Sequence, residues 1–170
     1  MSTTLYGVAV TLRPATAEDV VPLAAIRATP EVFARWRGTG DLPAEVAADL
    51  ADPGTEVFAI EHAGRVVGAV QWYAENEPDY RHAGIDIFLD PAVHGHGLGT
   101  DAVRVLARHL TCTLDYHRLV IDPAADNAAA IRCYAKVGFR PVGVLRAYER
   151  GSDGVWHDGL LMDLLADELT

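Results

Sequence analysis

Gly84-Ile85-Asp86-Ile87-Phe88-Leu89-Asp90-Pro91-Ala92-Val93-His94-Gly95-His96-Gly97-Leu98-Gly99-Thr100 is the stretch that decides the fold of this chain. The apolar run Ile85–Leu89, bounded by Gly84 and Pro91, reads as a buried strand. A tight loop with Gly95, Gly97 and Gly99 then opens into an amphipathic helix carrying Val103, Leu106, Ala107 and Leu110. Glycine has no Cβ, so backbone N–H groups in such a loop converge on a ligand without steric conflict. At a helix N-terminus those groups lack intrahelical acceptors and sit at the positive end of the dipole, where they favour an anion. The stretch is a candidate phosphate cradle.

On either side, turn and capping signals divide the chain. Val8–Arg13 reads as a first strand, ended by Pro14, and Thr16 offers an N-cap with Glu18 and Asp19 in the first turn of a helix to about Ala28. Pro30 to about Trp36 and Pro43 to Leu50 read as short helices. Thr55–His62 and Arg65–Tyr73 form a hairpin around Ala63-Gly64. After the glycine loop and its helix to about Thr111 comes a fifth strand, Arg118–Asp122. Asn127 caps a helix to Val137, with Gly138 placed as its C′ residue. Phe139–Tyr148 and Val155–Leu164 close the chain around the Gly151-Ser152-Asp153-Gly154 turn. This order predicts an α/β (α+β) fold, a mixed sheet of about seven strands with helices on both faces. No repeat or linker divides it, so residues 1–170 read as a single domain.

Composition narrows the function classes. Half of the residues are hydrophobic and 22% are charged, which is ordinary for a globular chain. Fourteen basic against 24 acidic residues give a formal charge of −10, which repels nucleic acid and attracts cationic ligands, or serves solubility alone. No apolar run approaches the roughly 18 residues of a membrane span. The N-terminus lacks the basic and apolar regions of a secretory signal, so a cytoplasmic protein is expected, without membrane or nucleic-acid partners. Cys112 and Cys133 lack CxxC spacing and read as reduced, small core residues.

The glycine loop admits several readings. A P-loop needs GxxxxGK[ST], and no lysine is near. Gly97-Leu98-Gly99-Thr100-Asp101-Ala102 matches GxGxx(G/A), but a dinucleotide fingerprint follows the first strand directly, and here Asp90–His96 intervene past mid-chain. A structural glycine turn is a further reading. His94 and His96 at i, i+2 lack a third ligand in the loop, so no metal is expected.

His94-Gly95-His96-Gly97-Leu98-Gly99 also resembles the (Q/R)xxGx(G/A) acyl-CoA loop of the GNAT superfamily of N-acetyltransferases, with His94 in the Gln/Arg position. Asn127, Ala130, Tyr134, Lys136, Gly138 and Phe139 fall in register with that superfamily's N-x-x-A-x-x-x-Y-x-K-x-G-F signature, and Leu12-Arg13-Pro14-Ala15-Thr16 resembles its usual opening. Gly84-Ile85-Asp86, Gly97-Leu98-Gly99-Thr100, Ala130-Ile131-Arg132-Cys133-Tyr134 and Trp36 resemble aminoglycoside 6′-N-acetyltransferases in particular.

The resemblance implies a GNAT fold in which the fourth and fifth strands splay apart around acetyl-CoA. It makes the backbone of Ile87, Phe88 and Leu89 partners for the pantetheine and thioester. His94, Gly95, His96, Gly97, Leu98, Gly99 and Thr100 would hold the pyrophosphate, and Asn127, Ala130 and Tyr134 complete the set. Acyl transfer requires the amine to lose a proton before attack, while the leaving thiolate benefits from an acid. The resemblance assigns Asp122 as the base, Tyr134 as the acid and Asp86 as a substrate anchor. Trp36, Tyr73, Glu75, Glu77 and Asp79 would line the route of a small cationic amine.

Each residue has a plain structural reading too. Asp122-Pro123 starts a turn, Tyr134 packs as a helix aromatic, Trp36 packs under the helical segment, and the acidic loop is a solvated surface run. The leading expectation is acetylation of an aminoglycoside 6′-amine by a monomer or homodimer. Acetylation of a protein N-terminus, a polyamine or a hydroxylated lysine is the alternative, and a silent acyl-CoA-binding module is a third.

Overall fold

Residues 3–170 are described by a computed structural model in which eight strands make one sheet. In chain order they are β1 (Leu5–Tyr6), β2 (Thr11–Pro14), β3 (Thr55–His62), β4 (Arg65–Glu75), β5 (His82–Leu89), β6 (Arg118–Ile121), β7 (Arg140–Arg150) and β8 (Trp156–Leu165). The helices are α1 (Val20–Arg27), α2 (Pro30–Arg35), α3 (Leu42–Ala51), α4 (Leu98–Arg108) and α5 (Ala128–Val137). The sheet runs β1-β2-β3-β4-β5-β6-β8-β7.

Strand alternation sends Ile85, Ile87 and Leu89 of β5 into a core shared with α4 and α5. Phe88 faces the other way and packs with Leu23, Ala24 and Val46 of α1 and α3. Helices therefore cover both faces, as expected. Gly138 ends α5 in the left-handed region, φ 119°, where a Cβ would also strike the carbonyl of Glu168.

The extra strand is β1, and β2 begins at Thr11 rather than Val8. The reason is a buried carboxylate: Asp101 in the first turn of α4 accepts from the N–H groups of Val8, Ala9 and Val10 at 3.1, 2.7 and 3.0 Å. That segment spends its donors on a side chain and cannot join a ladder. Cys112 is exposed, in a π-turn (His109–Thr113) that follows α4, so it is no core residue, whereas Cys133 is half-buried.

The break in the sheet positions the site. Strands β5 and β6, the fourth and fifth expected from the sequence, form the only parallel pair among the described residues. Their ladder consists of Ala83 opposite Leu119 and Gly84 opposite Val120, although β5 continues to Leu89. Beyond Gly84 and Val120 the strands splay. Asp86 on β5 and Asp122 just after β6 each stand two residues past the last pair, and both line one cavity. No helix among the described residues is long and apolar enough to cross a membrane.

Candidate active site

Two cavities open from the splay. The smaller, about 440 Å³, runs from Ile87, Phe88 and Leu89 along the glycine loop to the start of α5. The larger, about 700 Å³, lies between Asp86 on β5, Asp122 after β6 and the end of β7. Arg35, Trp36, Ile87, Asn127 and Tyr134 line both, so the two are continuous.

The glycine loop has the geometry of an anion cradle. Gly95 and Gly97 take φ 80° and 77°, where any side chain is strained. Gly99 is glycine for space, since a Cβ there would lie 3.2 Å from Leu89 Cδ1 and 3.5 Å from Cys133 Sγ. Leu98, Gly99 and Thr100 form the first turn of α4, and their N–H groups have no acceptor within that helix. A diphosphate fits this donor set. His94 lines the cavity, and its Nε2 lies 3.0 Å from the carbonyl of Leu89, tying the loop to the end of β5. His96 turns to the carbonyl of Val93 at 3.2 Å and lies outside the lining, which corrects its expected place in the cradle. Its ring is held outward by that bond. No group of three metal-ligating side chains occurs among the described residues.

Asn127 and Ala130 shape the far wall. The Asn127 carboxamide oxygen caps α5 by accepting from the N–H of Ala130 at 3.2 Å. One turn further, Tyr134 is only 8% exposed yet lines both cavities. Burial first, and then the charges of Cys133, Asp86 and Asp122, hold its phenol well above the ordinary range, so it remains a proton donor at neutral pH.

The larger cavity is built from carboxylates. Burial, and then the charge of Asp122, push Asp86 up to about 6. Gln71, its cross-strand partner, reaches it only at 3.5 Å. Asp122, by contrast, accepts a 2.6 Å hydrogen bond from the Tyr148 hydroxyl. Glu149 lines the same cavity and is raised by burial and by Asp122, against the opposing charges of Arg35 and His157. Trp36 meets Phe88 edge to face at 4.9 Å between centroids, so its packing reading and its place on the cavity wall hold together. Arg35 pairs with Asp126, and Arg37 donates to the carbonyls of Arg150 and Gly151 at 3.3 Å, which closes α2 over the opening.

Tyr73 and the acidic loop sit differently from expectation. The Tyr73 ring lies across Gly84, where a Cβ would overlap it. It borders the site without lining either cavity, although burial and then Asp86 and Asp122 raise its phenol. Glu75, Glu77 and Asp79 line neither cavity. They lie at the β4–β5 turn, where Glu75 pairs with His82 and binds the N–H of Glu77 at 2.8 Å, beyond the closed end of the splay. The negative lining comes instead from Glu149, Asp126 and Asp153, with His157 held by Asp153 at 2.9 Å. Sequence reading missed Arg35, Tyr148, Glu149 and His157, because no motif or period marks them.

The chain belongs to the GNAT acetyltransferases: residues 9–140 match the acetyltransferase (GNAT) domain. It is 40% identical over 75 residues to the aminoglycoside N(6′)-acetyltransferase type 1 of Klebsiella pneumoniae, covering 44% of this chain and 36% of that protein. It is 31% identical over 118 residues to the N-alpha-acetyltransferase RimI of Mycobacterium tuberculosis, covering 65% and 68%. Across the curated relatives that it matches, the chain spans between 36% and 68% of their length. Among solved structures it is similar to AAC(6′)-Ib in complex with paromomycin and acetyl-CoA, with a TM-score of 0.76 and 27% identity over 94% of this chain and 95% of that one.

Proposed function

We propose that this chain transfers the acetyl group of acetyl-CoA to a primary amine of a polycationic acceptor, the 6′-amine of an aminoglycoside. The observation that carries this reading is the convergence of Asp86, Asp122 and Glu149 in one cavity that adjoins a backbone anion cradle across Tyr134. Similarity to aminoglycoside acetyltransferases supports it.

The thioester supplies an activated acyl group, and the chain's own residues do the rest. N–H groups from Gly95 to Thr100 bind the pyrophosphate, and the free edge of β5 at Ile87–Leu89 orients the pantetheine. An ammonium has no lone pair, so it must be captured and then deprotonated. The two aspartates differ in environment, and on that ground we give them the reverse of the roles that the resemblance assigned. Asp122, held by Tyr148, is committed as an acceptor and serves as the anchor of the ammonium. Asp86, at about 6, lies close to working pH and is assigned as the proton acceptor. The captured ammonium then gives its proton to Asp86, through a water where the distance requires one. As the C–S bond breaks, Tyr134 protonates the departing thiolate and regains a proton from the nitrogen, which sheds its second proton on becoming the amide.

A second reading, acetylation of a protein N-terminus, is favoured by the similarity to RimI. Free-thiol release from acetyl-CoA separates the readings. Kanamycin or tobramycin should support it far better than an N-terminal peptide or spermidine. Release with the peptide alone would transfer the assignment to the second reading, and silence with every amine would leave an acyl-CoA-binding module.

A further inference from the structure

In a regular strand, neighbouring side chains point to opposite faces. Tyr148 and Glu149 are adjacent in β7, yet both line the larger cavity. A bulge causes this. Leu145 stands opposite Gly159 and Glu149 opposite His157, so β7 advances four residues while β8 advances two. Inside the bulge Ala147 takes φ 47°, a left-handed conformation that alanine adopts only under constraint. The constraint is Asp158, whose carboxylate accepts from the N–H of Ala147 at 2.8 Å.

The same piece of β8 is stitched to the chain just after Asp122. Ala125 donates to the carbonyl of Asp158 and Leu160 donates to that of Pro123, both at 2.9 Å, with Ala124 and Gly159 bridged between them. Gly159 leaves room for the Tyr148 ring, since a Cβ there would lie 3.0 Å from Tyr148 Cδ2. A single frame thus fixes both partners of the 2.6 Å bond from Tyr148 to Asp122.

We infer that Tyr148 is a positioning residue for the acceptor: the bulge pinned by Asp158 holds its hydroxyl on Asp122, so that Asp122 presents one fixed, charged carboxylate to the acceptor ammonium. This rests on the acetylation reading above. Asp122 is faced by Asp86 of β5, Tyr73 of β4, Tyr134 of α5 and Glu149 of β7, while Arg35 of α2 is paired with Asp126 and His157 of β8 with Asp153. Tyr148 therefore supplies a donated bond among like charges. Without it, Asp122 faces Asp86 and Glu149 with no donated bond to fix its carboxylate.

Tyr148→Phe keeps the ring over Gly159 and removes only the hydroxyl. The KM for kanamycin should rise roughly 10-fold, as for loss of a hydrogen bond to a charged group. The kcat should stay within about twofold and the KM for acetyl-CoA should not move. This split of KM from kcat is what a merely structural role would not produce. A readout independent of turnover is the Tyr148 phenol, held above the ordinary range by its bond to Asp122. Followed by NMR of ring-labelled tyrosine, it should fall back in Asp122→Asn. An unmoved phenol would remove the bond and the inference with it. An active wild type matched by Tyr148→Phe in KM for kanamycin overturns this inference alone. A wild type inactive on every cationic amine overturns the acetylation reading together with it.

Discussion

The two cavities offer different means of recognition. The smaller presents main-chain N–H groups of one contiguous segment, Gly95–Thr100, and the open edge of β5. The larger relies on side chains that β5, β6 and the β7 bulge bring together from distant parts of the chain. Main-chain donors survive most substitutions, so the cradle accommodates His94, bonded to the Leu89 carbonyl, at the Gln/Arg position of the motif that it resembles. Side-chain carboxylates do not. One change there alters charge, proton affinity and the neighbour's environment at once.

The largest expected effect breaks the carboxylate side. Asp86→Asn should lower kcat/KM for an aminoglycoside at least ~100-fold, the usual contribution of a general base, with acetyl-CoA affinity near normal. Initial rates and calorimetry measure both. Unchanged turnover would return the base role to Asp122.

The same variant should gain stability, because Asp86 is ionised at a cost. Its value in the fold, about 6, exceeds the ordinary 3.8, so the folded chain holds this proton more tightly than the unfolded one. The resulting stability is complete below about pH 4 and is lost as pH rises through about 6. Asp86→Asn should therefore unfold later than wild type at pH 7–8, by a margin on the order of 1–3 kcal/mol, and the difference should vanish near pH 4. Denaturant titrations across that range test it. A constant gap at all pH values would contradict the raised proton affinity.

The smallest effect sharpens the comparison from the other side. Gly97→Val forces a β-branched residue to φ 77° and should raise the KM for acetyl-CoA roughly 10-fold, given a strain of about 1–2 kcal/mol. Kanamycin affinity, measured without donor, should stay put. Weakening of both ligands alike would mean that the cavities are not separable in this sense.

These differences explain what the sequence made legible. Gly95, Gly97, Asn127 and Gly138 act through backbone conformation or a local cap, so their residue types announce their positions. Asp86 and Asp122 were readable through the family resemblance, which assigns roles to aspartates at their positions. Tyr148 and Glu149 were not, because their shared direction depends on the Asp158 carboxylate holding Ala147, a contact between two strands. The acidic loop misled for the complementary reason. Glu75, Glu77 and Asp79 are close to Asp86 in sequence, but the strand between carries them to the closed end of the splay. The strand β1 depended on Asp101, a helix residue whose partners lie more than ninety positions away.

The most direct measurement is the structure of the chain crystallised with CoA and kanamycin together. The account predicts the pyrophosphate on the N–H groups of Gly95–Thr100 and the 6′-amine between Asp86 and Asp122, within hydrogen-bond distance of both. An aminoglycoside bound outside the β5–β6 splay, or one that turns a different amine toward the CoA sulfur, would contradict it.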